Sequence, residues 1–224
     1  MGEAIGEVLA FGVGIALSPL AIVALVVMLV APGGARPAWA FAGAWALSLA
    51  LVATLVLLLA DGSDASASGA PATWVSVVKI VVGLLLVLFA VYEWRGRESS
   101  EAETDAPGWM RKLDRVKVAG AAGLAGLFVV KPKNLLLTIG AGVAVAQVGA
   151  SAAGQASAIG VFVVLGTAGL AIPLAIHVLM PNRGEGMLIE LRDWMVRQNE
   201  TIVTVLSLVI AAKLLGDAVI SLTT

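Results

Sequence analysis

The chain has 224 residues, of which 60 % are hydrophobic and only 13 % charged, with a formal net charge of −1 and a mean hydropathy of +1.01. A soluble domain carries about twice that charged fraction, and one water-soluble core of this size cannot hide so much apolar surface, so the composition points to an integral membrane protein. The near-zero net charge gives no global attraction for nucleic acid, and the absence of cysteine excludes disulfides, thiolate chemistry and cysteine metal sites.

Six apolar segments follow one another at 4–30, 38–60, 73–94, 118–146, 155–179 and 201–221, each reaching the ~20 residues that a helix needs to cross a hydrocarbon core. The opening "MGEAIGEVLAFGVG" carries Glu3 and Glu7 and no basic stretch, so it is expected to be the first membrane helix rather than a cleaved signal. That segment is interrupted near its centre by Ser18 and Pro19. Trp45 in the second segment lies deep enough to be a packing residue, while Lys79, early in the third, can reach the outer interface along its own stem.

The sizeable loop 95–117 holds Trp109, Met110, Leu113 and Val116 at helical spacing, which predicts a short amphipathic helix on the inner interface. In the fourth segment, "LFVVKPKNLLLTIGAG" places Lys131, Pro132, Lys133 and Asn134 in the middle of an apolar run. The fifth carries Pro173 and then His177 near its inner end. Met187, Leu188, Leu191, Trp194 and Met195 predict a second amphipathic segment at 185–198. The sixth segment carries Lys213 and Asp217, four residues apart and able to share one helix face. Trp39, Trp74, Trp94, Trp109, Trp194 and Tyr92 fall near the expected interfaces, where aromatic belts form.

Ten of the fourteen basic residues lie in the loops after segments one, three and five: Arg36, Arg95, Arg97, Arg111, Lys112, Arg115, Lys117, Arg183, Arg192 and Arg197. The other four, Lys79, Lys131, Lys133 and Lys213, lie within segments. The positive-inside rule then puts those loops in the cytoplasm and both termini outside, in the plasma membrane. Shifting the chain by 113 residues lays Pro19 over Pro132, and each proline sits in the first segment of a group of three. The expected architecture is an all-α membrane protein of two inverted three-helix repeats, with the first and fourth spans broken at Pro19 and Pro132. Its units are 1–94, the cytoplasmic linker 95–117 and 118–224, the last including the amphipathic segment 185–198.

Proline removes a backbone donor and obstructs the preceding turn, and in lipid the freed carbonyls must find partners, so each break is expected to face protein or a watery cavity. The Ser18 hydroxyl is one partner for such a carbonyl. Lys131 lies about 13 residues into its segment, roughly 20 Å by helical rise, too deep for a lysine to be indifferent to its surroundings. Ser18, Pro19, Lys131, Pro132, Lys133 and Asn134 are therefore the candidate substrate-binding residues, the alternative being that the lysines pair with carbonyls around the kink. Lys213, Asp217, His177 and Lys79 are candidates for coupling or for a buried ion pair, and Asp217 and His177 for proton linkage. Gly120, Gly123 and Gly126 form a smooth stripe suited to helix packing. No phosphate-binding loop, histidine cluster, acidic pair or nucleophilic triad is legible, so neither a cofactor nor an enzyme is expected.

Residues 16–45, "ALSPLAIVALVVMLVAPGGARPAWAFAGAW", and 129–137, "VVKPKNLLL", resemble the two blocks of a family of small actinobacterial membrane proteins, the GAP or Sap family of peptidoglycolipid- and sulfolipid-addressing proteins. That family looks like a branch of the LysE transporter superfamily. The resemblance implies help in moving complex glycolipids toward the cell surface beside a larger lipid exporter, with the first-span motif on Ser18 and Pro19 and the second on Lys131 to Asn134. The wider superfamily tends to have asparagine before the second proline, whereas here Lys131 precedes Pro132. Two lysines repel a cation and attract a sulfate, phosphate or carboxylate. The expected ligand is an anionic lipid or glycolipid. The rivals are a LysE-type exporter of small solutes such as amino acids, and a non-transporting scaffold of a lipid-export complex. A homodimer is compatible with so small a chain.

Overall fold

The computed structural model describes residues 2–61, 73–100, 113, 116–180 and 183–223. The helices are α1 (Gly2–Ala16), α2 (Pro19–Val30), α3 (Ala35–Asp61), α4 (Thr73–Ser100), α5 (Val118–Val129), α6 (Pro132–Gln147), α7 (Ala152–Leu179) and α8 (Gly184–Thr223). Three of them, α3, α7 and α8, are long and apolar enough to cross a membrane. Two bent pairs, α1 with α2 at 52° and α5 with α6 at 70°, raise the number to as many as five if each pair is one span. The protein is an all-α, multi-pass membrane protein.

Both bends fall where the sequence places them. Pro19 and Pro132 each stand in the first turn of the helix that follows the break, the position at which a missing N–H removes no intrahelical bond. Gly33, with φ at +73°, makes the left-handed turn from α2 into α3. The polarity of the bundle is that of a protein in lipid. Leu47, Leu51, Leu55 and Leu58 repeat along the outward face of α3, each more than half exposed, while Ser18, Lys133, Asn134, Thr138, Thr204 and Ser207 are buried. Helix α2 is apolar all round, and Ala21 through Leu29 are all buried, which makes it a central helix shielded by its neighbours. It packs against α3, α7 and α8.

Two expectations change. The segments 185–198 and 201–221 are one continuous helix, α8, 40 residues long, because no proline or glycine lies between Met187 and Leu215 to interrupt it. The stripe Gly120, Gly123 and Gly126 is not a tight interface, since a methyl group at Gly123 would meet nothing. The close approach lies elsewhere. At Gly169 of α7 a Cβ would strike the Ala16 carbonyl oxygen at the end of α1. The predicted helix around Trp109 and Met110 lies outside the described residues, as do the side chains of Trp74 and Lys79. Trp45 is buried, as its depth suggested, and its indole N–H donates to the Gly166 carbonyl at 3.1 Å, tying α3 to α7.

Gly169→Ala is expected to destabilise the detergent-solubilised protein by about 1–3 kcal/mol through overpacking against backbone, read as a lowered melting temperature. Gly123→Ala is expected to be neutral or to gain a few tenths of a kcal/mol from helix propensity.

Candidate binding site at the paired helix breaks

The two breaks meet. Ser18 ends the gap between α1 and α2, and its hydroxyl donates to Asn134 Oδ1 across the bundle at 2.8 Å. Asn134 Nδ2 in turn donates to the Phe128 carbonyl at 2.9 Å, a group at the end of α5. Lys133 reaches the other way, its Nζ donating to the Leu17 carbonyl at the end of α1 at 3.1 Å. Each broken helix thus supplies a donor to a carbonyl or amide at a break. Contrary to the expectation from sequence, the Ser18 hydroxyl does not satisfy a freed carbonyl. It binds the amide that does so, and Lys133 takes the carbonyl of the first break.

This use of side chains leaves the two downstream helices uncapped. Ser18 is the residue before α2 but makes no side-chain cap, and Lys131, in the same position before α6, has no acceptor to offer. Pro19 and Pro132 have no N–H, and Ala21 and Ile22 donate to the Ser18 carbonyl as Leu135 does to that of Lys131, so the Leu20 N–H of α2 and the Lys133 and Asn134 N–H groups of α6 are those without a partner in their own helices, and both helix starts carry partial positive charge. A cavity of about 280 Å³ lies against them, with Ser18 to Ala21 and Lys131 to Asn134 on its wall. The opposite wall comes from Phe89 and Glu93 of α4 and Asn199 and Val203 of α8.

The two lysines have different jobs in this geometry. Lys133 is 6 % exposed and committed to the Leu17 carbonyl. Lys131 is half-buried, with its Nζ 4.2 Å from the centre of the Phe128 ring, a cation–π contact worth about 0.5–2 kcal/mol. Glu93 is the acid whose charge acts on both. Among the described residues it makes no direct ion pair with either. The Asn199 Oδ1 atom is buried and without a hydrogen-bond partner.

The structure therefore brings Ser18, Pro19, Lys131, Pro132, Lys133 and Asn134 to one wall and leaves Lys213, Asp217 and His177 away from it. Lys213 bonds Asp217 at 2.6 Å and also Glu7 of α1 at 3.3 Å, so the expected pair is a three-membered cluster. His177 is partly buried on α7, outside the cavity. The side chain of Lys79 lies outside the described residues. Sequence reasoning missed Glu93 and Asn199. Glu93 sits beside Trp94 and Arg95 at the end of its segment and resembles an ordinary interfacial acid, while Asn199 falls in a stretch that looked peripheral because α8 was divided there. Glu7 carried a signal, an acid inside one apolar segment with a lysine inside another.

Asn134→Ala is expected to cost about 1–3 kcal/mol of thermal stability, because it removes two buried bonds together, leaving the Phe128 carbonyl with the longer bond from the Lys131 N–H at 3.4 Å. Ser18→Ala removes one bond and leaves the carbonyl served, so about 1 kcal/mol is expected. Equal effects of the two variants on the melting temperature would contradict the bonding order.

Among the described residues no group of three or more histidines, cysteines or acids is placed to hold a metal ion. No curated protein and no solved structure matches the chain. The family described as "Sap, sulfolipid-1-addressing protein" matches it over residues 8–220, from the first helix to the last and across both breaks. The chain belongs to that family.

Proposed function

We propose that the protein is a membrane carrier or export accessory that accepts an anionic amphiphile, a glycolipid or lipid intermediate, in the cavity between its two broken helices and helps move it toward the cell surface. Family membership supports a lipid-addressing role in transport rather than catalysis. The observation that carries the anionic preference is the convergence on one cavity of Lys131, Lys133 and two uncapped helix starts. At about 4 Å and an effective dielectric of ~20, one ammonium–anion contact is worth about 4 kcal/mol before desolvation is subtracted.

The architecture is six spans in two inverted repeats, α1 to α4 and α5 to α8, with α4 as the sixth span beside the three long helices and two bent pairs. Reciprocal packing supports it. Helix α1 lies on α7 as its counterpart α5 lies on α3, and α3 with α7 and α4 with α8 pair across the halves. Such repeats place their ligand where the broken lead helices meet, and LysE-type exporters share the general plan. The basic loops put both termini outside and residues 95–117 in the cytoplasm. Glu93 and Asn199 then stand toward the cytoplasmic ends of α4 and α8, so the cavity serves the inner leaflet and loading precedes outward movement. A larger export transporter beside it is the natural recipient.

The scaffold alternative has one observation in its favour, the bond from Lys133 to the Leu17 carbonyl, which gives that lysine a purely structural use. Lys131 separates the two readings, because its ammonium is bound to no carbonyl among the described residues. Lys131→Gln is expected to lower surface delivery of the exported lipid at least about tenfold, the effect of losing 1.4 kcal/mol of binding, at unchanged protein level. The check is extraction and mass spectrometry of outer-envelope lipids from cells with no copy, the wild type or the variant. Normal lipid delivery by Lys131→Gln, or an envelope unchanged by loss of the protein, would sink the proposal.

A further inference from the structure

The cavity is less positive than its lysines suggest. Lys131 and Lys133 come from the α5–α6 break, and Glu93 faces them from α4. Glu200 of α8 is the second acid whose charge acts on Glu93. Helix α2, which supplies the remaining wall, has no ionisable residue. Two ammonium groups and one carboxylate line the empty site, and Glu200 adds its negative charge beside that carboxylate from outside the lining. An anionic head placed against the lysines adds a further negative charge to those of Glu93 and its neighbour Glu200, in a region of low dielectric where like charges repel strongly. Glu93 stands on the cavity wall itself, so its carboxylate and the incoming head compete for the same two ammonium groups. Protonating that carboxylate removes the competing charge with no change of fold.

We propose that Glu93 is the proton-coupling residue of the cavity, taking up one proton as an anionic head binds and giving it back as the head leaves. The proposal rests on the anion-binding reading of the cavity given above and adds the coupling to it. The balance is simple: one anion and one proton enter together, no covalent bond to the ligand is made or broken, and the proton comes from solvent to a Glu93 carboxylate oxygen. Glu93 acts as internal counterion to Lys131 and Lys133 when the cavity is empty and as a neutral hydrogen-bond donor when it is full. Because binding takes up a proton, affinity must fall as pH rises wherever Glu93 is ionised in the empty protein.

Calorimetry on the full chain in phosphatidylcholine nanodiscs tests this, with decyl sulfate as the probe and decyl maltoside as the uncharged control. A sulfate monoester stays a monoanion throughout the accessible pH range, so any proton taken up belongs to the protein. Titration in two buffers of different ionisation enthalpy counts that proton. The expected result is about one proton per decyl sulfate bound by the wild type and affinity falling about tenfold per pH unit, as one-proton linkage requires. Glu93→Gln is expected to bind decyl sulfate without uptake and without pH dependence, and Glu93→Asp to retain uptake.

Wild-type binding with no proton uptake overturns the coupling and leaves the anion site standing. Uptake undiminished in a folded Glu93→Gln variant, or lost in Glu200→Gln instead, overturns the assignment to Glu93. Decyl sulfate binding no tighter than that of decyl maltoside, or indifferent to Lys131→Gln, overturns the anion site and the coupling with it. The wild-type proton count decides the coupling even if the glutamine variant does not fold.

Discussion

Everything in this bundle depends on how two interrupted helices settle their backbone hydrogen bonds without water. Each proline frees carbonyls at the end of the helix before it, and in hydrocarbon an unpaired carbonyl is a loss of several kcal/mol. The protein does not repair each break locally. Lys133, from the second break, serves the Leu17 carbonyl of the first, and Ser18, from the first, holds the Asn134 amide that serves the Phe128 carbonyl of the second. The two interruptions satisfy each other and are thereby fixed face to face. Neither break can be closed independently, which explains why charged and amide side chains sit in the interior of a chain whose outer surface is leucine and valine.

The same solution creates the site. A serine that bonds across the bundle is not capping its own helix, and a lysine before α6 has no oxygen with which to cap. Two helix starts without side-chain caps lie on the wall of a cavity that Lys131 also lines. The side chains that stabilise the breaks, Ser18, Lys133 and Asn134, are thus also part of the cavity wall. Glu93 tempers the wall's positive charge. Its carboxylate shares the cavity wall with both lysines and offsets part of their charge.

The membrane class, the two break points and the six residues around them were legible in the sequence because each rests on local chemistry. Apolar run length reports spans, proline reports interruption, and a lysine at depth reports a polar environment. The partners were not legible. Nothing local says that Ser18 binds Asn134, 116 residues away, or that Lys133 crosses to Leu17. Glu93 was hidden by its neighbours Trp94 and Arg95, which look like an interface, and its role follows only once α4 is packed beside α6 and α8. The division of α8 at residue 200 failed for a physical reason: a change from amphipathic to uniformly apolar composition alters what a helix faces, not whether it continues. The glycine stripe failed similarly, since small residues permit close approach without requiring it, and the tight contact formed at Gly169 on α7 instead.

The most direct measurement is chemical capture at the cavity wall in living cells. A photoreactive benzoylphenylalanine in place of Phe89, which lines the cavity, is compared with one in place of Leu58, which faces outward from α3. After illumination, mass spectrometry identifies the adducts. The expected result is a lipid with an anionic head joined at position 89, enriched over the bulk lipids captured at 58 and lost when Lys131→Gln is added. Capture of the same bulk lipids at both positions, or of no lipid at 89, would contradict a cavity that selects an anionic amphiphile.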